Sequence, residues 1–131
     1  MREREIRNAK IARTTLGYED HGILTCFLHL EWEGGGQGFG GYGLDAWVGE
    51  RSEKGRRWGT AYGMEFVAQI LKVVGVDAWE KLPGKFVRME HDWGKIYRIG
   101  HITDEKWFAP ESLTAAFDEH NGNLREVAAP V

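Results

Sequence analysis

The chain has 131 residues, a net charge of −3 at pH 7 and a hydrophobic content of 42%. This length predicts a single domain over residues 1–131 with one core and flexible tails at 1–5 and 119–131. The slight acidic excess argues against a duplex-DNA binder. The chain has one cysteine, Cys26, and shows neither a leader segment nor an apolar run of membrane length. These features predict a soluble cytoplasmic protein with no membrane partner.

Three strands are predicted in the first third of the chain. Residues 6–16 alternate loosely and carry Arg7, Lys10 and Arg13, which predicts an edge strand because such charges discourage further pairing. A turn is predicted at 17–22. Residues 23–32 then alternate strictly, and the apolar side chains predicted to share the core face are Leu24, Cys26, Leu28, Leu30 and Trp32.

A glycine-rich stretch at 34–45 reads GGGQGFGGYGLD and holds seven glycines in twelve positions. We predict that residues 37–44 of it return antiparallel as the third strand of a meander. Glycine packs poorly inside a strand, so the run is expected either to permit bends or to let backbone approach a ligand or a second chain.

One long helix is predicted from Thr60, its N-cap, to Gly75, its C-terminal glycine cap, after a polar loop at 47–58. Its apolar spacing runs Met64, Val67, Leu71 and Val74, with Ile70 beside them. We expect Leu24, Leu28 and Leu30 to pack against Met64, Val67 and Leu71, so that Leu28→Ala costs about 2 to 5 kcal/mol.

The last third predicts short elements. Asp77 and Glu80 suggest a capping box for one helical turn, residues 86–90 and 95–101 predict a hairpin, and Pro110 is expected to begin a short helix. The whole pattern predicts the α+β class: an antiparallel sheet of about five strands, meander plus hairpin, with one main helix on one face.

Searches for chemical motifs favour a binding protein over an enzyme. The five histidines lack metal-ligand spacing, so no metal and no cofactor is expected. Asp20 and His21 could form an acid–base pair but fit a turn better, and His101 with Thr103 gives a single H-x-T where two-histidine phosphoesterases use two. A small hydrolase is kept as the lesser alternative.

An anion site is predicted where the long helix begins. Arg56 and Arg57 precede Gly59 and Thr60, and free N–H groups at a helix start attract negative charge. Together with stacking aromatics and neighbours from the glycine-rich strand, the candidate ligand-binding residues are Gln37, Phe39, Tyr42, Asp45, Arg56, Arg57, Trp58, Gly59, Thr60 and Tyr62. The alternative is a solvated basic loop capped by Thr60.

If the anion site forms, Arg57→Ala is expected to weaken nucleotide binding by about 1.5 to 3 kcal/mol, the value of a hydrogen bond to a charged group. Little effect on folding is expected, because the sequence places Arg57 in an exposed loop.

Several segments resemble a group of small proteins encoded by phages and prophages, whose functions are mostly unassigned. The segments are LGYEDHGILT (16–25), GGGQGFGGYGLD (34–45), WGTAYGMEFV (58–67), WEKLPGK (79–85) and HITDEKWF (101–108). The resemblance covers about residues 6–108 and brings no catalytic motif with it. It implies an origin in a phage or an integrated prophage, and candidate roles such as defeating host defence in the host cytoplasm.

Two functions follow from these expectations. The first is a phage-type binding protein that sequesters an anionic, nucleotide-like signalling molecule of host defence. The alternative is an interaction module that inhibits a host protein without any small ligand. In either case a homo-oligomer is expected, because a flat glycine-rich strand and six tryptophans leave apolar surface that a monomer covers poorly.

Overall fold

The computed structural model describes residues 3–47 and 56–117 of the chain. In chain order the strands are β1 (Glu5–Asp20), β2 (Ile23–Trp32), β3 (Gly35–Gly40), β4 (Asp45–Trp47), β5 (Arg57–Gly59), β6 (Phe86–His91), β7 (Ile96–His101) and β8 (Trp107–Phe108). The helices are α1 (Ala61–Val74), a 3₁₀ helix (Trp79–Lys81) and α2 (Pro110–Thr114). Six strands form one antiparallel sheet in the order β3-β2-β1-β6-β7-β8, and β4 and β5 form a separate hairpin. The α+β class with one main helix is thereby confirmed.

The first strand lies inside the sheet, so its prediction as an edge strand is wrong. β1 pairs with β2 along one side and with β6 along the other. Its charges do not prevent this, because strand side chains project from the faces of a sheet and leave both edges free to pair. β1 extends through residues 17–20 of the predicted turn. The turn therefore consists of His21 and Gly22, both of which have positive φ.

Both ends of α1 are confirmed. The Thr60 hydroxyl accepts a hydrogen bond from the Gly63 N–H, and Gly75 adopts the left-handed conformation with its N–H bonded to the Leu71 carbonyl. These contacts are local in the sequence, which is why capping chemistry alone located them.

The buried face of α1 agrees with the predicted one at Ile70 and Val74. Val67 and Leu71 are partly buried against the core, and the prediction is wrong at Met64. Met64 is 71% exposed, and the residues that α1 buries are Gly63, Phe66, Ile70, Val73 and Val74. A Cβ at position 63 would collide with the Leu44 carbonyl oxygen, so glycine lets the helix approach the chain there.

The core lies between α1 and one face of the main sheet. Leu28 and Leu30 are fully buried as predicted, whereas Leu24 is only partly buried. Cys26 is also buried, and burial raises the pKa of its thiol to about 12. On the opposite face of the sheet, Ile6 and Phe86 stay more than half exposed.

The last third of the chain follows the prediction with one exception. The hairpin β6–β7 and the helix at Pro110 are confirmed. The capping box is wrong: Ala78 precedes the 3₁₀ helix without a side-chain cap, and the Asp77 carboxylate pairs with Lys81 Nζ at 2.7 Å.

Two predicted features fall outside the described residues, namely the tail at 119–131 and positions 48–55 of the polar loop. Within the described part of the chain, no helix is long and apolar enough to cross a membrane.

Candidate functional site

Of its predicted site residues, the glycine-rich stretch brings Asp45 to the start of α1, but neither Gln37 nor Phe39. Phe39 is a core residue, 1% exposed, and its ring packs beside Phe66 and Phe108. Gln37 pairs with Leu30, whereas Asp45 bonds to the Leu24 N–H at the other end of β2. Six residues of strand correspond to about 20 Å. Gln37 therefore lies far from Asp45 and from Arg57, the first residue of β5.

Asp45 and Arg57 form a buried ion pair. The Asp45 side chain is 1% exposed, and its Oδ1 accepts hydrogen bonds from Arg57 Nε at 3.0 Å and from Arg57 Nη2 at 2.8 Å. Arg57 Nη2 also donates to the Asp45 carbonyl at 2.9 Å. Since these bonds join β4 to β5, the charge of Arg57 is compensated within the fold.

The start of α1 is likewise occupied by internal contacts. Thr60 Oγ1 accepts from the Gly63 N–H and donates to the Leu44 carbonyl at 3.1 Å. Around it Arg56 and Gly59 are exposed, and Trp58 is 57% exposed. Of the ten candidate residues, the structure thus groups Asp45, Arg57, Gly59 and Thr60, with Arg56 and Trp58 at the solvent side.

Tyr42 and Tyr62 lie at the margin of the core. Their rings pack against Phe66 at centroid distances of 5.4 and 6.0 Å. Burial raises the pKa of both phenols. Both rings contribute to packing of α1 and are only partly accessible to a ligand.

A pocket that the sequence did not indicate lies beside β8 and α2. It has a volume of about 380 Å³ and is lined by Gln69, Arg98, Trp107, Phe108, Ala109, Ser112 and Leu113. β8 is only two residues long and pairs with Ile99 and Gly100. Arg98 precedes Ile99 on β7 and contributes its side chain to the pocket.

A glycine positions the aromatic wall of this pocket. The Trp107 ring lies against Gly100, where an added Cβ would approach the ring to 2.7 Å. The guanidinium carbons of Arg98 and Arg88 lie 3.9 and 4.6 Å from the ring centroid. Stacking of this kind fixes the plane of a guanidinium group and leaves its N–H edges available for bonding.

The two stacked arginines differ in their hydrogen bonds. Arg88 donates to the His101 carbonyl, the Asp104 carbonyl and the Glu105 carboxylate. Arg98 Nε donates to Glu90 Oε1 at 2.9 Å, and Arg98 Nη2 forms an ion pair with the same oxygen at 2.9 Å. A guanidinium group has five N–H donors, so Arg98 retains donors that these bonds do not use.

Glu90 is shared between two arginines. Its other oxygen accepts from Arg4 Nη1 at 3.2 Å. Partial burial works to raise the pKa of Glu90, but the hydrogen bonds and charges of Arg4 and Arg98 outweigh it and lower that pKa. One carboxylate between two guanidinium groups leaves this group with a formal surplus of one positive charge, and Arg98 is its member that lines the pocket.

Comparison with protein-family models, curated proteins and solved structures finds no match for the chain. In residues 3–47 and 56–117, no group of three or more His, Cys, Asp or Glu side chains could hold a metal ion. The chemistry of the pocket is therefore inferred from its own residues.

Proposed function

We propose that the protein binds a small anionic, nucleotide-like molecule in the pocket beside β8. Arg98 would hold the anionic group, and the apolar wall would hold the rest of the ligand. The observation that carries this proposal is the Arg98 guanidinium over the Trp107 ring at the pocket, whose carboxylate partner, Glu90, is shared with Arg4.

The electrostatics favour an anion. Arg98 has a 34% exposed side chain, so a ligand can reach the N–H groups that Glu90 leaves unused. An arginine whose plane is fixed by stacking can bind a phosphate or carboxylate through two parallel hydrogen bonds. Such charge-assisted bonds are about twice as strong as neutral ones.

The remaining lining favours a ligand with an apolar or ring-shaped part. Phe108, Ala109 and Leu113 supply apolar surface, while Gln69 and Ser112 supply polar groups. A volume of about 380 Å³ falls in the range of about 300 to 1,000 Å³ typical of small-molecule sites. This combination of one cation, an apolar wall and two polar side chains suits a nucleotide better than an inorganic anion.

The biological role that fits such binding is sequestration. The resemblance of the chain to small phage and prophage proteins suggests a task in countering host defence, and a nucleotide signal of that defence would be the ligand. We propose this role together with the binding site.

Calorimetric titration with mono-, di- and cyclic nucleotides tests the proposal. Arg98→Gln should weaken binding at least tenfold, because it removes a hydrogen-bonded charge worth about 1.5 to 3 kcal/mol. Arg13→Gln is the matched control, since Arg13 is an exposed arginine on β1 and does not line the pocket. Failure of every nucleotide to bind below about millimolar, or equal affinities for the two variants, would overturn the proposal.

A second candidate function is self-association through the outer edge of β3. This edge strand of the main sheet reads GGQGFG and carries neither charge nor proline, the usual protections against strand pairing. Pairing of two copies would extend the sheet and form a homo-oligomer. Light scattering should then give a mass above 14.9 kDa, with Gly38→Lys reducing it to the monomer value; a monomer at micromolar concentration would exclude this function.

A further inference from the structure

A smaller pocket lies at the C-terminal end of β2, next to Trp32. It has a volume of about 60 Å³ and is lined by Glu3, Glu5, Arg7, Trp32, His91, Asp92 and Trp93. None of these residues lines the pocket beside β8. The two pockets are therefore separate sites.

Strand pairing brings the key side chains of this pocket together. Glu5 is the partner of His91 and Arg7 is the partner of Met89, so Arg7 and His91 are diagonal neighbours across β1 and β6. The Trp32 ring meets the His91 ring edge-on at 5.1 Å. A Cβ at Gly35 would approach that indole to 2.7 Å, so a glycine of β3 makes room for this wall.

The hydrogen bonds of Gln37 determine which nitrogen of His91 carries the proton. Gln37 Nε2 donates to the Asp92 carbonyl at 2.9 Å, which leaves Oε1 to face His91 Nδ1 at 2.8 Å. Because Oε1 can only accept, Nδ1 carries the proton, and Nε2 of the neutral imidazole is an acceptor.

His91 is 5% exposed, and its Nε2 has no hydrogen-bond partner in the described structure. Arg7 Nε is also a buried nitrogen without a partner, although Arg7 Nη2 donates to Glu5 at 2.9 Å. Buried polar atoms are nearly always paired in folded proteins. One unpaired acceptor and one unpaired donor in a single pocket indicate a ligand that supplies a hydrogen-bond donor to the first and an acceptor to the second.

The charge of this pocket argues against an anionic ligand. Three carboxylates, those of Glu3, Glu5 and Asp92, accompany one guanidinium, that of Arg7. An anion would be repelled. The flat rings of Trp32 and Trp93, the latter 87% exposed at the pocket, favour a planar molecule.

We propose that this pocket binds the lactam edge of an uncharged heterocycle, such as a uracil-type or hypoxanthine-type base. The ring N–H donates to His91 Nε2, and the adjacent carbonyl accepts from Arg7 Nε–H. A volume of about 60 Å³ admits such an edge while the rest of the ring lies against Trp93. This site does not depend on the anion pocket beside β8.

A pair of nucleosides tests the lactam edge on the unmodified protein. Uridine carries the ring N–H and N3-methyluridine lacks it. Uridine should shift the ¹⁵N resonance of His91 Nε2 during an NMR titration, and N3-methyluridine should leave it in place. Equal shifts with both nucleosides, or no shift with uridine at millimolar concentration, would overturn the proposal.

Two substitutions separate the predicted contacts from a structural role. In His91→Asn the amide can still donate to Gln37 but lacks the Nε2 acceptor, so uridine affinity should fall at least tenfold. Arg7→Lys keeps the charge opposite Glu5 but lacks the Nε–H, so affinity should fall as well. Unchanged uridine affinity in both variants would contradict the site.

Controls identify the source of any loss. His21→Asn removes a histidine from a turn position whose φ of 52° suits asparagine, and it should leave uridine binding unchanged. Arg98→Gln should also leave it unchanged, since uridine has no phosphate. If Arg98→Gln abolishes uridine binding, the nucleoside occupies the pocket beside β8 and the His91 site is wrong.

Discussion

The start of α1 and the pocket beside β8 contain the same kinds of side chain and use them in opposite ways. At the helix start one arginine, Arg57, faces one carboxylate, Asp45, whose side chain is 1% exposed. Beside β8 two arginines, Arg4 and Arg98, share the carboxylate of Glu90. The Asp45–Arg57 pair has no net charge, whereas the group of Arg4, Arg98 and Glu90 has one positive charge in excess. The second arginine of the helix start, Arg56, is exposed to solvent.

This difference shows why an arginine next to an aromatic residue does not by itself identify an anion site. Asp45 is buried with its guanidinium partner, so binding of an external anion by Arg57 would leave a buried carboxylate without compensation. Arg98 can bind an anion without leaving any buried charge unpaired. The partner of each arginine, rather than the arginine itself, decides between structure and binding.

Removal of Arg57 should therefore have the largest effect on stability. Arg57→Ala leaves Asp45 buried without its cation, and we expect the free energy of unfolding to fall by about 3 to 5 kcal/mol. This replaces the expectation from the sequence that the substitution spares folding. Urea denaturation measures it, with Arg98→Gln as control, for which a change of about 1 kcal/mol or less is expected. Equal losses in the two variants would remove the distinction between the two regions.

Leu28→Ala should lower the free energy of unfolding by about 2 to 5 kcal/mol, because Leu28 is fully buried and its truncation leaves a cavity. Met64→Ala should change it by about 0.5 kcal/mol or less, since Met64 is 71% exposed. Comparison of the two denaturation midpoints tests the orientation of α1. A large loss from Met64→Ala would favour the helix face predicted from the sequence over the one in the structure.

Glu90→Gln should increase the difference in charge between the pocket beside β8 and the start of α1. The substitution removes the carboxylate shared by Arg4 and Arg98, so the pocket beside β8 gains positive character. Anionic nucleotides should bind about two- to fivefold more tightly, as expected for loss of a partly exposed ion pair worth up to about 1 kcal/mol. Calorimetry at low salt measures this gain, and weaker binding by the variant would show that Glu90 positions Arg98 for the ligand.

The same residue predicts a small effect of pH on stability. The pKa of Glu90 is lowered in the folded protein by Arg4 and Arg98 against the opposing effect of burial. Its contribution to stability is therefore present above the unfolded pKa of about 4.3 and is lost as pH falls through the folded value. In Glu90→Gln the decline in stability over that acidic interval should be shallower, as thermal melts between about pH 5 and pH 3 can show.

Local chemistry made much of the fold predictable. Thr60 and Gly75 mark the ends of α1 through contacts within four residues, and the β6–β7 hairpin follows from alternation on either side of a turn. The inner position of β1 and the rotation of α1 at Gly63 depend on partners distant in the sequence. Periodicity carries no information about such partners.

The candidate sites were less accessible to sequence reasoning for the same reason. Arg57 and Asp45 were both predicted in one ligand site, but their ion pair with each other depends on the β4–β5 pairing. The pocket beside β8 depends on a strand of two residues, too short to give a periodic signal. Gln37 was expected near the arginines, but it contacts His91 at the opposite end of β2.

Because the Trp107 ring packs directly against Gly100, substitutions at these two positions are expected to be coupled. Any side chain at 100 would displace the indole, and with it the surface on which the Arg98 guanidinium rests. A mutational scan would then record position 100 as intolerant even though it carries no side chain and does not line the pocket. Among diverging relatives, loss of the glycine should be accompanied by loss of the tryptophan.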